Sequence, residues 1–124
     1  MMPRYFRMVT FNLFSHNCDD HSKNFSFLID AFGAWKMAPA YDLTFSSSSL
    51  GMHSTTYAGE GKSPGVRHLM ELADSFEFKD AKDIIDEVRS VVARWDTYAQ
   101  ASGVSERTRE TMAGTLARTI KGEP

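Results

Sequence analysis

The strongest constraint on the fold is the spacing of apolar residues in the stretch that follows Asp80. They recur at steps of three and four, which is the period of the buried face of an amphipathic α-helix. Asp80 is suited to cap such a helix and Gly103 is suited to end it. The spacing therefore predicts one long helix over 80–101. Its predicted inner face consists of Ile84, Ile85, Val88, Val92, Trp95 and Ala99.

Three further helices are predicted on weaker patterns. Pro3 suits a first helical turn, and the segment that follows it is apolar on nearly all sides, which is typical of a buried helix. Ser63 followed by Pro64 predicts the start of a second helix. Ser105 is expected to cap a last helix. The apolar stripe of that last helix is narrow and consists of Met112, Leu116 and Ile120.

Between the first two of these helices the pattern changes. Phe25–Ile29 and Ala34–Met37 read as two short strands joined by a turn at Gly33. The segment 43–63 is rich in serine, threonine and glycine and has no useful periodicity, so we expect a functional or mobile loop. The fold class predicted for 1–124 is a single, mostly α domain with a small β-hairpin, with helices over 64–121.

Length and composition exclude several other classes. The chain has 124 residues, of which 42% are hydrophobic and 24% charged, as in a globular domain. Its net charge of −2 argues against a broad phosphate-binding face, so direct binding of nucleic acid is not expected. Every apolar run is too short to cross a membrane. The single cysteine, Cys18, cannot form an internal disulfide, and we expect a cytoplasmic protein.

The polar segment after the first helix carries the clearest chemical signal. Asp19 and Asn24 have the Asp-x-x-x-x-Asn spacing of a protein-kinase catalytic loop, in which the Asp accepts the proton of the acceptor hydroxyl and the Asn binds magnesium. A hairpin and a second metal-binding Asp follow that loop in kinases. Here Asp42 follows the predicted hairpin. The order of these elements predicts a kinase catalytic loop over 17–25.

Two segments also resemble a known family. Asn17–Ser26 (NCDDHSKNFS) resembles the N-x-D-x-H-x-K-N-x-S motif of HipA-type serine/threonine kinases, the toxins of bacterial toxin–antitoxin pairs. Ala38–Leu43 (APAYDL) is similar to the L-x-P-x-Y-D block of that family. The resemblance implies the helical C-terminal lobe of a protein-kinase-like fold, an ATP- and Mg²⁺-dependent kinase, a protein substrate and a DNA-binding antitoxin as partner.

The resemblance also implies a role for each matching residue. Asp19 would be the catalytic base, Asn24 and Asp42 the magnesium ligands, and His21 and Lys23 loop residues near the phosphates of ATP. Within these residues, however, no glycine-rich loop or strand lysine precedes the loop. We therefore expect this chain alone to bind ATP weakly and to be inactive.

Two alternatives remain open. The chain could be a non-catalytic interaction fragment of such a kinase, or a small metal-dependent hydrolase. The ligands of that hydrolase would be His16, Asp19, Asp20 and His21. Other residues receive structural interpretations. Asp20 is expected to be a bystander in the loop, and Trp35 and Trp95 are expected to be core aromatics. His53 is interpreted as an isolated loop histidine and His68 as an isolated histidine on a helix surface.

Overall fold

The computed structural model describes residues 1–48 and 51–122, and in them the chain forms five α-helices and one two-stranded antiparallel sheet. The predicted fold class, mostly α with a small β-hairpin, is confirmed. The elements in chain order are α1 (Met2–Phe14), β1 (Phe27–Ile29), β2 (Trp35–Met37), α2 (Val66–Ser75), α3 (Ala81–Val92), α4 (Trp95–Ala101) and α5 (Glu106–Lys121).

The core lies where α1 packs against α3, with α2 and α5 closing its sides. α1 is buried on several sides, as its sequence predicts, and the predicted inner face of α3 is buried as far as Val92. At the edge of this contact the Arg7 guanidinium lies 2.7 Å from the Glu87 carboxylate. The main buried residues of α1 and α3 are Phe6, Val9, Leu13, Phe14, Ile84, Ile85, Val88 and Val92.

The single long helix predicted over 80–101 is wrong, because α3 ends at Val92 and α4 begins at Trp95. Arg94, between them, has left the helical region, with φ −94° and ψ 16°. Apolar spacing could not reveal this break, since Val92 and Trp95 remain three residues apart across it. A contact from a distant helix accompanies it: Arg109 Nε of α5 donates to Asp96 Oδ1 at 2.9 Å. Trp95, predicted to be a core aromatic, is half-buried at the start of α4.

The helix starts were predicted with mixed success. Ser105 caps α5 as expected, with its hydroxyl accepting from the Thr108 N–H at 3.2 Å. α2 begins after Gly65 instead of at Ser63, and the Gly65 N–H donates to His68 Nδ1 at 2.9 Å. His68 is only 5% exposed, so its interpretation as a surface histidine was wrong. Its ring is buried because it satisfies an otherwise free amide at the helix start.

The predicted hairpin is confirmed, with Phe27 opposite Met37 and Ile29 opposite Trp35. Asp30 Oδ1 accepts from two N–H groups of the turn, at 2.9 and 3.0 Å, and Gly33 takes a positive φ of 83° there. Trp35 is 63% exposed, so its interpretation as a core aromatic was wrong. Of the six strand residues only Met37 is buried, and Trp35, on the same sheet face two residues earlier, is exposed.

The end of α5 returns to the middle of the chain. The Val66 N–H donates to the Gly122 carbonyl at 2.8 Å, and the Thr119 hydroxyl donates to the Phe14 carbonyl. α5 therefore ties together the last turn of α1 and the first turn of α2. Among the helices that the structure describes, none has both the length and the apolar character that a membrane crossing requires.

Candidate functional site

The candidate site is built on the loop that leaves α1. The left-handed conformation of His16, with φ 54°, turns the chain out of the helix. The Asn17 N–H then donates to the Asn12 carbonyl at 2.9 Å, and the Asn17 side chain donates to Asn12 Oδ1 at 3.1 Å. The same amide lies 3.2 Å from the Asp42 carbonyl. Asn17 thus fixes the start of the loop to α1 and to the segment that carries Asp42.

Asp20 points into the protein and is 1% exposed. Its Oδ2 lies 2.8 Å from His53 Nδ1 and accepts from the Tyr57 hydroxyl at 2.7 Å. Its Oδ1 accepts from the N–H groups of Ser54 and Thr55 at 2.9 and 3.2 Å. The interpretation of Asp20 as a bystander was wrong, because it joins the loop to the distant segment 53–57.

The electrostatics of Asp20 follow from these contacts. Burial by itself raises the pKa of this carboxyl, but the hydrogen bonds from His53 and Tyr57 outweigh it and hold the pKa below its usual value. Burial and the neighbouring Asp20 charge raise the pKa of Tyr57 well above its usual value. The phenol therefore stays neutral at physiological pH and keeps its proton for Asp20.

The segment 43–63 is better anchored than its composition suggests. Tyr57 is 1% exposed and belongs to the core, while His53 is buried and donates its backbone N–H to the Gly61 carbonyl at 2.8 Å. Tyr57 is an apolar anchor in a segment whose other described residues are mostly exposed, and the mobility of this segment stays a prediction. His53 is likewise no isolated loop histidine. Within this segment, residues 49 and 50 lie outside the described part of the chain.

Asp19 points the opposite way from Asp20. Its side chain is 59% exposed, and its Oδ1 lies 3.7 Å from His21 Nε2. The loop then forms a single 3₁₀ turn, Ser22–Asn24. The Asn24 side-chain N–H donates to the Asp19 carbonyl at 2.9 Å, so this amide closes the loop across the five-residue step. Asp19 and Asn24 are thereby neighbours, as the motif spacing predicts.

Asp42 is connected to the same loop by its backbone carbonyl and by the side chain of the preceding residue, Tyr41. The Tyr41 hydroxyl donates to the Lys23 carbonyl at 2.7 Å and lies 2.6 Å from the Ser26 hydroxyl. Together with the contact of Asn17, this ties the Asp42 segment to both ends of the loop. Sequence reasoning missed Asn17 and Tyr41 as positioning residues, although both lie inside the two quoted motifs. The joint binding of metal by Asn24 and Asp42 stays a prediction.

A comparison with family models matches residues 1–95 to the HipA-like C-terminal domain. That match covers well over half of the chain. The chain belongs to the HipA-like C-terminal domain family. No match was found among curated proteins or among solved structures. The HipA-like match ends at Trp95, where α4 begins, so it covers the loop, the hairpin and the α1–α3 core but not α4 and α5.

The four residues predicted as ligands of a metal-dependent hydrolase do not form a metal-binding group in the described part of this HipA-like domain. In residues 1–48 and 51–122, the one group of at least three His, Cys, Asp or Glu side chains with ligand atoms within 4.8 Å of one another is His16, Cys18 and His53. It shares only His16 with the predicted set. Asp20 is committed to its buried hydrogen bonds, and this leaves the hydrolase hypothesis without its ligands.

Proposed function

We propose that this chain is the C-terminal catalytic lobe of a HipA-like serine/threonine protein kinase, which transfers the γ-phosphate of ATP to a protein hydroxyl. The observation that carries the proposal is the opposite orientation of two adjacent aspartates. Asp20 is buried and binds four donors, whereas Asp19 is exposed beside Asn24. The buried hydrogen bonds of Asp20 fix the loop, and the Asp19 carboxylate faces solvent. This arrangement suits a catalysis that depends on positioning.

Asp19 is the proposed general base. Its exposed Oδ1 can accept the proton of an acceptor hydroxyl that approaches from solvent, and it is not consumed by a buried ion pair. The Asn24 side-chain amide donates to the backbone carbonyl of Asp19, so it holds the backbone without contacting the Asp19 carboxylate. Positioning of the base is thus separate from its chemistry.

Asn24 and Asp42 are the proposed magnesium ligands, and their chemistry fits that ion. The Asn24 amide nitrogen is used by the Asp19 carbonyl, which leaves its side-chain oxygen for a metal. Asp42 supplies a carboxylate, and Mg²⁺ prefers such hard oxygen ligands. When bound, Mg²⁺ would neutralise charge on the ATP phosphates. Lys23 and His21, on the outer side of the same loop, would supply further positive or hydrogen-bonding groups to those phosphates.

The wider setting is part of the same proposal. The family suggests a toxin–antitoxin system, so we propose a protein substrate and a DNA-binding antitoxin as partner, in the cytoplasm. The net charge of −2 supports a protein partner over direct contact with nucleic acid. A non-catalytic interaction fragment is the competing possibility, and it predicts no dependence of any activity on Asp42.

The test is γ-phosphate transfer by a kinase that carries this lobe together with a glycine-rich nucleotide lobe. Asp42→Asn is the informative variant, because Asn keeps the side-chain shape and also tolerates the left-handed φ of 55° at this position. We expect transfer to fall strongly and its Mg²⁺ requirement to rise. Lys82→Ala, on an exposed pair with Asp86 in α3, is the control. Equal activity of wild type and Asp42→Asn would refute the assigned metal ligand.

Calorimetry on the 124-residue chain alone gives a second check. We expect weak or undetectable binding of ATP with Mg²⁺, because the groups that cradle the α- and β-phosphates in kinases are not among these residues. Tight, Mg²⁺-dependent binding would show that the lobe carries its own nucleotide site.

A further inference from the structure

A second group of potential ligands lies on the inner side of the loop, away from the proposed magnesium ligands. Cys18 is fully buried, and its Sγ lies 3.5 Å from His16 Nε2. His53 completes the group, with the ligand atoms of all three residues within 4.8 Å of one another. Two imidazoles and a thiol are soft or borderline donors, unlike the oxygen donors that Mg²⁺ requires.

The spacing suits a tetrahedral ion. With Zn–S near 2.3 Å and Zn–N near 2.05 Å, a tetrahedral angle places sulfur and nitrogen ligands about 3.6 Å apart. The distance from Cys18 Sγ to His16 Nε2 is 3.5 Å, and the distance to His16 Nδ1 is 3.8 Å. Because the sulfur is nearly equidistant from both nitrogens, the His16 ring must turn to direct Nε2 at a shared ion. A tetrahedral ion places two nitrogen ligands about 3.3 Å apart, so the limit of 4.8 Å for the remaining pairs requires a closure of at most about 1.5 Å.

The backbone around the group is already fixed. Ser46 accepts from the Cys18 N–H at 2.8 Å and donates to the His16 carbonyl at 3.0 Å. The Cys18 carbonyl accepts from both the N–H and the hydroxyl of Ser54, each at 2.9 Å. The three ligand-bearing positions are therefore held together by hydrogen bonds that need no metal.

His53 also has the outer partner that metal-binding histidines usually have. Asp20 Oδ2 lies 2.8 Å from His53 Nδ1, which orients the ring and leaves Nε2 as the nitrogen for a metal. His16 has a left-handed φ of 54°, which is uncommon for a residue other than glycine.

We propose that His16, Cys18 and His53 form a zinc site, with Asp20 as the outer-sphere partner of His53. On binding, Zn²⁺ takes the place of the Cys18 thiol proton, which passes to solvent, and the ion is held by one thiolate and two imidazoles with a fourth position for water. The site joins the loop at Cys18 to the segment at His53, directly behind Asp19. Its role is to brace the loop, and it adds to the magnesium chemistry without depending on it.

Cobalt is the probe that tests this site. Cys18 is the only cysteine of the chain, so a thiolate-to-cobalt charge-transfer band on titration with Co²⁺ identifies it as a ligand without further assignment. Zn²⁺ should abolish the band by displacing Co²⁺. Zn²⁺ should also raise the Tm by several degrees, because it binds the folded chain.

Three variants and one control complete the test. Cys18→Ser should lose the band. His16→Gln and His53→Gln should each weaken Zn²⁺ binding by more than the roughly 10–100-fold cost of losing an outer-sphere partner. Far-UV circular dichroism verifies that each variant is folded, and His16→Gln serves if His53→Gln unfolds with loss of its Asp20 contact. His21→Gln, in the same loop but outside the group, should bind as wild type does. No band in wild type, or equal Zn²⁺ affinity in wild type, Cys18→Ser and His16→Gln, would overturn the proposal.

Discussion

The two sides of the loop 17–24 differ in burial and in hydrogen bonding. On the inner side, Asn17, Cys18 and Asp20 are buried and their backbone or side chains are hydrogen-bonded. On the outer side, Asp19 and Lys23 are exposed, and the side chain of Asp19 keeps its hydration. Two aspartates that are adjacent in sequence therefore occupy opposite environments.

Under the proposed function, this difference separates the residues that hold the loop from the residue that would act in phosphate transfer. Asp20 is removed from water, and four protein donors replace its hydration. A substitution of Asp20 therefore leaves those donors without an acceptor. Asp19 makes no such commitment and remains free to take up a proton. The predictions that follow, from the largest effect to the smallest, either break this separation or sharpen it.

The largest effect is expected from Asp19→Asn in a kinase that carries this lobe. The amide preserves the shape of the side chain but cannot accept the proton of the hydroxyl, and loss of a general base costs roughly 10²–10⁴-fold in rate. Because Asp19 is exposed, the free energy of unfolding of the variant should stay within about 0.5 kcal/mol of wild type, and its Tm should be nearly unchanged. Phosphate transfer and thermal melting measure the two quantities. An active Asp19→Asn would place the base elsewhere.

Asp20→Ala should destabilise the fold by about 3–5 kcal/mol, since it breaks a buried charged network and strands His53 and Tyr57. Urea unfolding of the isolated chain measures this. Asp19→Ala is the matched control, one residue away and exposed. Comparable stability of the two variants would mean that the inner side does not hold the loop.

Tyr57→Phe should have a smaller effect on the same network. It removes one of four donors to Asp20 and keeps the aromatic ring in the core, so we expect a loss of about 1–3 kcal/mol. Tyr98→Phe, at an exposed position of α4, is the control and should leave the urea midpoint unchanged. A Tyr57→Phe protein as stable as wild type would show that the remaining donors suffice.

The smallest effect is a dependence of stability on pH. The pKa of Asp20 is lowered by folding, so its contribution is fully present above the usual Asp pKa of about 3.9 and is lost as the pH falls through the folded value. One group changes the free energy of unfolding by at most about 1.4 kcal/mol per pH unit. Urea midpoints between neutral and acid pH should therefore fall less steeply in Asp20→Ala than in wild type. Equal slopes for the two proteins would show that folding does not lower the pKa of Asp20.

The parts of the fold that sequence alone predicted are those encoded locally. The hairpin, the Ser105 cap and the buried character of α1 depend on neighbours a few residues apart, and the HipA-type family was identifiable from two short motifs. The pairing of Asp20 with His53 and Tyr57 spans 33 and 37 residues of sequence. The residue spacing of a serine-rich loop does not predict such a contact. The only local hint was a large aromatic among small polar residues.

The break between α3 and α4 escaped prediction for a related reason. The residues around it have no glycine or proline, and their apolar period continues unchanged. What marks the break is the contact of Arg109 with Asp96, made by a helix later in the chain. Helix propensity is a weak prior that such tertiary contacts override.

The packing of α1 on α3 has a consequence for the order of folding. The main partners of α1 are encoded about 80 residues downstream, as the Arg7–Glu87 pair illustrates with its separation of 80 residues. During synthesis α1 therefore leaves the ribosome well before α3, the helix against which it packs most extensively. Contacts between residues so far apart in sequence slow folding and prolong the exposure of aggregation-prone intermediates. The nascent lobe is thus most prone to misassociation before α3 has left the ribosome and packed on α1.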